Sequence, residues 1–352
     1  MPQGEHTELW FIDHAPILGG AERFALKLAA AAATRKPALR VVMVCPRESE
    51  LAQRSRAAGI EIRDARFPSL TPPSVRSLTA AIALRRVLAN APRSAVIVAN
   101  SARAQAYVAA ADLLSARRLT IVNLAHEQET AARRVARAAL RRGGALVTIG
   151  ANTAAAYERA LPDTAVHRIN NVLDDRELAA AAGARARAPR LAVLARMIPE
   201  KGILELLDEA AAERERWSTL AVGAPSQDRA YEARVNARIG ELGLAGRVRL
   251  HGAVSDVAGF LDAADVLVVP STGCEGQPTA IIEALARGLP VLVREPILSP
   301  DFGGLPVRAY RDAKDFGAAL VKLRPAPAPV KDMRRRFGVD QAIDGLLSAG
   351  CR

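Results

Sequence analysis

Residues 266–293 read VLVVPSTGCEGQPTAIIEALARGLPVLV. Val266–Val269 is a short apolar, β-branched run, the pattern of a buried strand. Ser271 to Gln277 is broken by glycines and reads as a loop. Pro278 opens an apolar helix to about Ala286, at a position where its missing N–H costs little. Gly288 and Pro290 end that helix, and Val291 starts another strand. The unit is strand, loop, helix, strand, with Glu275 in the loop and Glu283 one to two turns into the helix. The first turn of a helix offers unpaired N–H groups and the positive end of a dipole, which suit phosphate or sugar oxygens. A carboxylate on the helix flank beside an apolar strand is costly to bury without a partner. Taken singly, Glu283 reads as a solvated residue or as one paired with an arginine.

The same alternation runs through the chain. In the first half, apolar runs at 9–12, 40–45, 95–100, 119–126 and 146–149 alternate with helical patterns at 23–33, 48–58, 74–90, 102–116, 130–144 and 151–161, with a short strand at 59–65. In the second half, strands at 190–195, 220–223, 247–254 and 305–310 alternate with helices at 203–213, 231–242, 256–264 and 313–323. A Pro-rich connector at 324–330 leads to one last helix over 333–349. Strands and helices of these lengths imply parallel sheets with helices on both faces, whose ligands gather at the carboxyl ends of the strands. Gly19, Gly20, Ser101 and His126 fall at such ends, and Arg196 and Lys201 flank the loop after 190–195. Each also has an ordinary reading: a tight turn, a structural histidine, two surface cations.

The chain has 352 residues and half are hydrophobic, which suggests two domains. Aromatics at 4% argue against an aromatic sugar platform. Three scattered cysteines, Cys45, Cys274 and Cys351, form neither a disulfide framework nor a zinc cluster. Residues 1–16 lack signal-peptide character, and no apolar run reaches the length of a membrane span. A cytoplasmic protein is the expectation. The net charge of +12 favours anionic ligands. Arg133, Arg137 and Arg141 share one helical stripe, with Arg134 and Arg142 beside it. That stripe is a solvated face or, on the sharper reading, a peripheral contact with an anionic membrane such as the inner membrane face.

Glu275-x7-Glu283 within EGQPTAIIEALARGLPVLV closely resembles the E-x7-E signature of the retaining GT-B glycosyltransferases, most like family 4. GGAER at 19–23, LAHEQE at 124–129 and R-x4-KG at 196–202 resemble further elements of that family. Asn171 and Asp174 match its end-of-domain segment, although Val172 stands where the family usually has glycine. The resemblance implies an α/β GT-B fold, two Rossmann-like domains facing across a deep interdomain cleft. The expected boundaries are 1–172 for the acceptor-side domain, 173–189 for a linker and 190–330 for the nucleotide-sugar domain. Residues 331–352 would return to the first domain.

It further implies transfer of a sugar from a UDP- or GDP-sugar to a hydroxyl acceptor, itself a sugar, a lipid-linked group or a small molecule, with retention of configuration. Arg196, Lys201 and Gly20 would hold the diphosphate, and Glu283 the ribose. Gly276, Gln277, Pro278 and Thr279 would meet the donor sugar, with Gly252 and Val254 beside the nucleobase and Gly19 on the acceptor side. His126 and Glu275 would orient the reacting sugar. No cofactor and no metal are expected, because the cations offset the charge on the leaving diphosphate. A nucleotide-sugar epimerase or other GT-B enzyme is the alternative. A nucleic-acid-binding protein, motivated by charge alone, is more remote: the chain has no clustered aromatics and no recognised nucleic-acid motif.

Overall fold

The computed structural model describes residues 7–350, except 17, 71–73, 116, 127, 129, 142, 176, 179–187, 274 and 324–329. Most of the expected linker, Arg142, Cys274 and the Pro-rich connector therefore lie outside the described residues. The chain divides into two units, Met1–Asp174 with Phe337–Arg352, and Asp175–Arg336.

The first unit runs β1 (Glu8–Ile12), α1 (Gly20–Arg35), β2 (Arg40–Cys45), α2 (Glu50–Ala57), β3 (Glu61–Asp64), α3 (Val75–Leu88), β4 (Ala95–Ala99), α4 (Ala102–Leu113), β5 (Thr120–Ala125), α5 (Thr130–Leu140), β6 (Ala145–Ile149), α6 (Ala151–Ala160) and β7 (Val166–Ile169). The second runs β8 (Leu191–Leu194), α7 (Ile203–Ala212), β9 (Leu220–Gly223), α8 (Arg229–Glu241), β10 (Val248–Leu250), α9 (Val257–Asp262), β11 (Val266–Val269), α10 (Thr279–Ala286), β12 (Val291–Arg294), β13 (Val307–Tyr310), α11 (Ala313–Lys322) and α12 (Val330–Phe337). The final helix, α13 (Val339–Gly350), belongs to the first unit.

Both sheets are parallel, in the orders β3-β2-β1-β4-β5-β6-β7 and β10-β9-β8-β11-β12-β13. Strands β1, β4 and β11 are buried along their whole length, which is why they read as unbroken apolar runs rather than alternating ones. In each sheet the strand order reverses between its first and fourth strands, β1/β4 and β8/β11. Those carboxyl ends are where such folds hold ligands.

Several details differ from the sequence reading. Strand β7 carries His167 and Arg168 at the sheet edge and is only partly buried, so it shows no apolar run. The strand expected over 247–254 is only Val248–Leu250, and the chain turns soon after it at Gly252, φ +65°. Helix α1 starts at Gly20 rather than Arg23, and α10 at Thr279 with Pro278 as its cap.

The single helix expected over 333–349 is two helices. They break at Gly338, which bridges Leu173, while the Leu173 N–H donates to the Phe337 carbonyl at 2.8 Å. Helix α13 then lays Val339, Ile343 and Leu346 into the core formed by β4, β5 and β6. Arg35–Asp340 at 2.6 Å and Lys36–Asp344 at 2.7 Å tie it to α1. Leu346 is fully buried. Leu346→Ala is expected to cost about 2–5 kcal/mol and lower the melting temperature by roughly 5–15 °C. An unchanged thermal melt would show that α13 is peripheral.

Candidate functional site

In the second unit, β8 delivers Arg196 just past its carboxyl end. The side chain is exposed, with no ion-pair partner among the described residues. A 3-10 turn, Pro199–Lys201, follows and ends at Gly202, φ +65°. A Cβ on Gly202 would overlap the Pro270 carbonyl oxygen, so only glycine allows this turn to lie against the end of β11. The Glu200 carbonyl accepts from the Thr272 and Gly273 N–H groups at 3.0 and 3.2 Å, stitching the loops after β8 and β11 together.

The stitch brings two of the expected site residues into contact. Lys201 Nζ pairs with Glu275 Oε1, and the Ser271 hydroxyl donates to the same oxygen at 2.7 Å. Their side chains are 18% and 17% exposed, so water screens the pair little. Two residues expected to grip different parts of one ligand therefore hold each other. Gly276 and Pro278 are half-buried, and Thr279 begins α10, whose terminus receives no side-chain cap from Pro278. Glu283 is half-buried farther along the same helix.

Gln277 has a partner that the sequence did not indicate. It is buried, and its amide donates to Asp301 Oδ2 at 2.9 Å, an oxygen that also accepts from Ser299 Oγ at 2.9 Å. Its N–H thus ties the loop to Asp301. Val254 packs on Gly223 and, with His251 and Phe260, lines a hollow of about 400 Å³. Arg196, Lys201 and Glu275 do not line that hollow.

In the first unit, Asp13 and Asn100 follow β1 and β4, and His126 follows β5. The Asn100 amide nitrogen lies 2.5 Å from Asp13 Oδ2 and 3.0 Å from the Ala21 carbonyl oxygen. Both are acceptors, which identifies the NH2 end. Asn100 Oδ1 is 3.0 Å from His126 Nε2, so that ring nitrogen must donate. His126 therefore carries its proton on Nε2 and presents Nδ1 as an acceptor, which no described residue engages. Burial pushes His126 down to about 4, so the ring is neutral. Phe24 meets the ring edge-on at 5.3 Å. His14, Ser101 and Tyr157 join His126 around a small recess of about 50 Å³. Neither Asp13 nor Asn100 was singled out in the sequence. The available signal was a polar residue directly after each buried apolar run at the reversal of strand order.

Unfolding returns His126 to its ordinary value near 6.5, so between about pH 6.5 and 4 the unfolded chain binds a proton that the native site refuses. Native stability falls through that window as pH drops. His126→Gln is expected to flatten the dependence, read from thermal melts between about pH 7 and 5. Parallel slopes in the two proteins would mean that the fold does not push the ring below its ordinary value.

The glycines differ from each other. The Gly19 N–H donates to Glu22 Oε2 at 2.8 Å, a capping interaction that takes up the first donor of this turn. Gly20 is exposed in the first turn of α1, and a Cβ there would meet nothing within 4 Å. Asn171 is buried and Asp174 half-buried just before the division between units. On α5, Arg134 and Arg137 are exposed and Arg133 is half-buried, Arg141 is exposed just past the helix end, and the buried stripe is Ala132, Ala136 and Ala139. Among the described residues, no helix is long and apolar enough to cross a membrane.

Two family models match successive halves of the chain: Glycosyltransferase Family 4 over residues 18–177 and Glycosyl transferases group 1 over 188–323. No curated protein matches it. Among solved structures, Anabaena HepE (Alr3699), in complex with UDP and glucose, is similar with a TM-score of 0.78 at 19% identity, over 97% of this chain and 100% of that one. HepE has also been solved with UDP-glucose. A glycosyltransferase from Rickettsia africae gives 0.75 at 12% identity, over 98% and 96%. Sucrose-phosphate synthase from Thermosynechococcus elongatus gives 0.69 at 17%, over 97% and 94%. With two parallel Rossmann-like sheets and a family model on each half, this chain belongs to the family 4 glycosyltransferases of the GT-B fold.

Proposed function

We propose that the chain transfers a sugar from a UDP- or GDP-sugar to a hydroxyl acceptor with retention of configuration and without a metal. The observation that carries this reading is the Lys201–Glu275 pair, set between the carboxyl ends of β8 and β11 at the reversal of strand order. The UDP and UDP-glucose bound by HepE support a nucleotide-sugar donor.

On this reading the incoming diphosphate draws Lys201 from Glu275 and is held with Arg196 and the N–H groups that open α10. Glu275 is then released to accept from hydroxyls of the donor sugar. Glu283 accepts from the ribose, while Gln277 steadies the loop. The two cations and the helix end stabilise charge as the diphosphate departs, an effect strongest in the transition state. The acceptor attacks on the face the diphosphate leaves, and a phosphate oxygen takes its proton. His126, neutral and with Nδ1 open, accepts from a hydroxyl of the reacting sugar. Gly19 and Gly20 belong to the acceptor side.

A thermal-shift panel of UDP, GDP and their sugars tests the reading. The matching nucleotide is expected to raise the melting temperature, with about 2.7 kcal/mol of stabilisation at a hundredfold excess over Kd. No shift with any of them would overturn it. Product analysis then separates the alternatives: a transferase forms a glycoside, whereas an epimerase returns an altered sugar still on the nucleotide. Transfer undiminished by a chelator would support metal independence.

A further inference from the structure

Behind the donor loop lies a charged group that the proposed chemistry does not use. Arg294 ends β12 with its side chain only 13% exposed. Its Nη2 is 2.9 Å from Glu209 Oε1 on α7, and its guanidinium lies over the Tyr310 ring at 5.2 Å. Glu209 is buried, and that burial pushes its carboxyl up even with Arg294 beside it. Such a pair gives a fold little net stability, because two buried charges lose about as much hydration as they gain in attraction. Well-packed apolar residues would fill the space as well.

The rest of the guanidinium shows what the charge can do. Arg294 Nε donates to the Pro270 carbonyl at 3.0 Å. Pro270 sits between β11 and Ser271, where the loop bearing Glu275 begins. The same carbonyl oxygen lies against Gly202, the residue after Lys201. One oxygen thus receives the arginine and abuts the glycine, at the place where both loops meet. Glu209 lies on α7, the helix that Gly202 opens.

We propose that Arg294 is a positioning residue for the donor loop: neutralised by Glu209, it holds the Pro270 carbonyl and so sets Lys201 against Glu275. The part concerning turnover rests on the function proposed above; the part concerning the loop does not.

The test compares wild type with Arg294→Met/Glu209→Met, which removes both charges at similar volume. Hydrogen exchange of the amides of Thr272 and Gly273, which bond to Glu200, reads loop order without any assay of activity. The double variant is expected to melt close to wild type, to exchange these amides at least tenfold faster, and to lose at least tenfold in kcat with a smaller change in donor KM. Unchanged exchange overturns the proposal, whatever the activity. Normal turnover with faster exchange overturns it too, since the loop would then need no such hold. If the double variant does not fold, Arg294→Lys serves instead, because it keeps a charge for Glu209 but withdraws the Nε–H from Pro270. Wild type that binds neither UDP nor GDP would refute the proposed function, and the exchange data would still judge the loop.

Discussion

Lys201→Ala is expected to lower the rate of sugar transfer roughly 100- to 1,000-fold, the loss seen when one group aimed at developing transition-state charge is removed. On the proposed reading, binding of the nucleotide should weaken much less, because Arg196 and the start of α10 would still hold the diphosphate. The split follows from timing. Charge on the departing phosphate is greatest in the transition state, so the ammonium contributes more to kcat than to the ground-state complex. The variant also leaves Glu275 with the Ser271 hydroxyl but without its cation. A second variant, Glu275→Gln, separates the two effects: it keeps the lysine and removes the carboxylate. Steady-state kinetics with the donor identified by thermal shift provides the check. Wild-type kcat in Lys201→Ala would remove the lysine from the chemistry.

Gly202→Ala is expected to be nearly as damaging, although Gly202 brings no side chain to the site. An L-residue in the left-handed region costs about 1–2 kcal/mol, and here the added methyl also meets the Pro270 carbonyl oxygen. The turn bearing Lys201 must then lift from the end of β11, weakening the bonds from Thr272 and Gly273 to Glu200. We expect a lower melting temperature together with at least a tenfold loss of turnover, since about 1 Å of displacement at a positioned group can cost two orders of magnitude. A variant that melts lower but turns over normally would show that this contact serves the fold alone.

These outcomes separate what local pattern reveals from what assembly adds. The alternation of buried strands with helices was legible because a strand or helix takes its burial from near neighbours, and its apolar period records that. The unit at 266–293 was legible for the same reason, with glycine and proline marking its turns. Strand β7 escaped because it lies at an edge and carries polar residues, and the break at Gly338 escaped because its partner, Leu173, lies far away in the chain.

The candidate site was legible as a set of residues placed after strand ends, but not as a set of partnerships. Lys201 meets Glu275 across 74 positions, and Asp13 meets Asn100 across 87. Gln277 turns to Asp301, and Arg294 reaches Glu209 and Pro270 from a third strand. Periodicity records how much of a side chain is hidden and says nothing of which group it meets. That choice arises where parallel strands bring distant loops to one edge of a sheet, and there a charge must find its counterpart within a few ångströms.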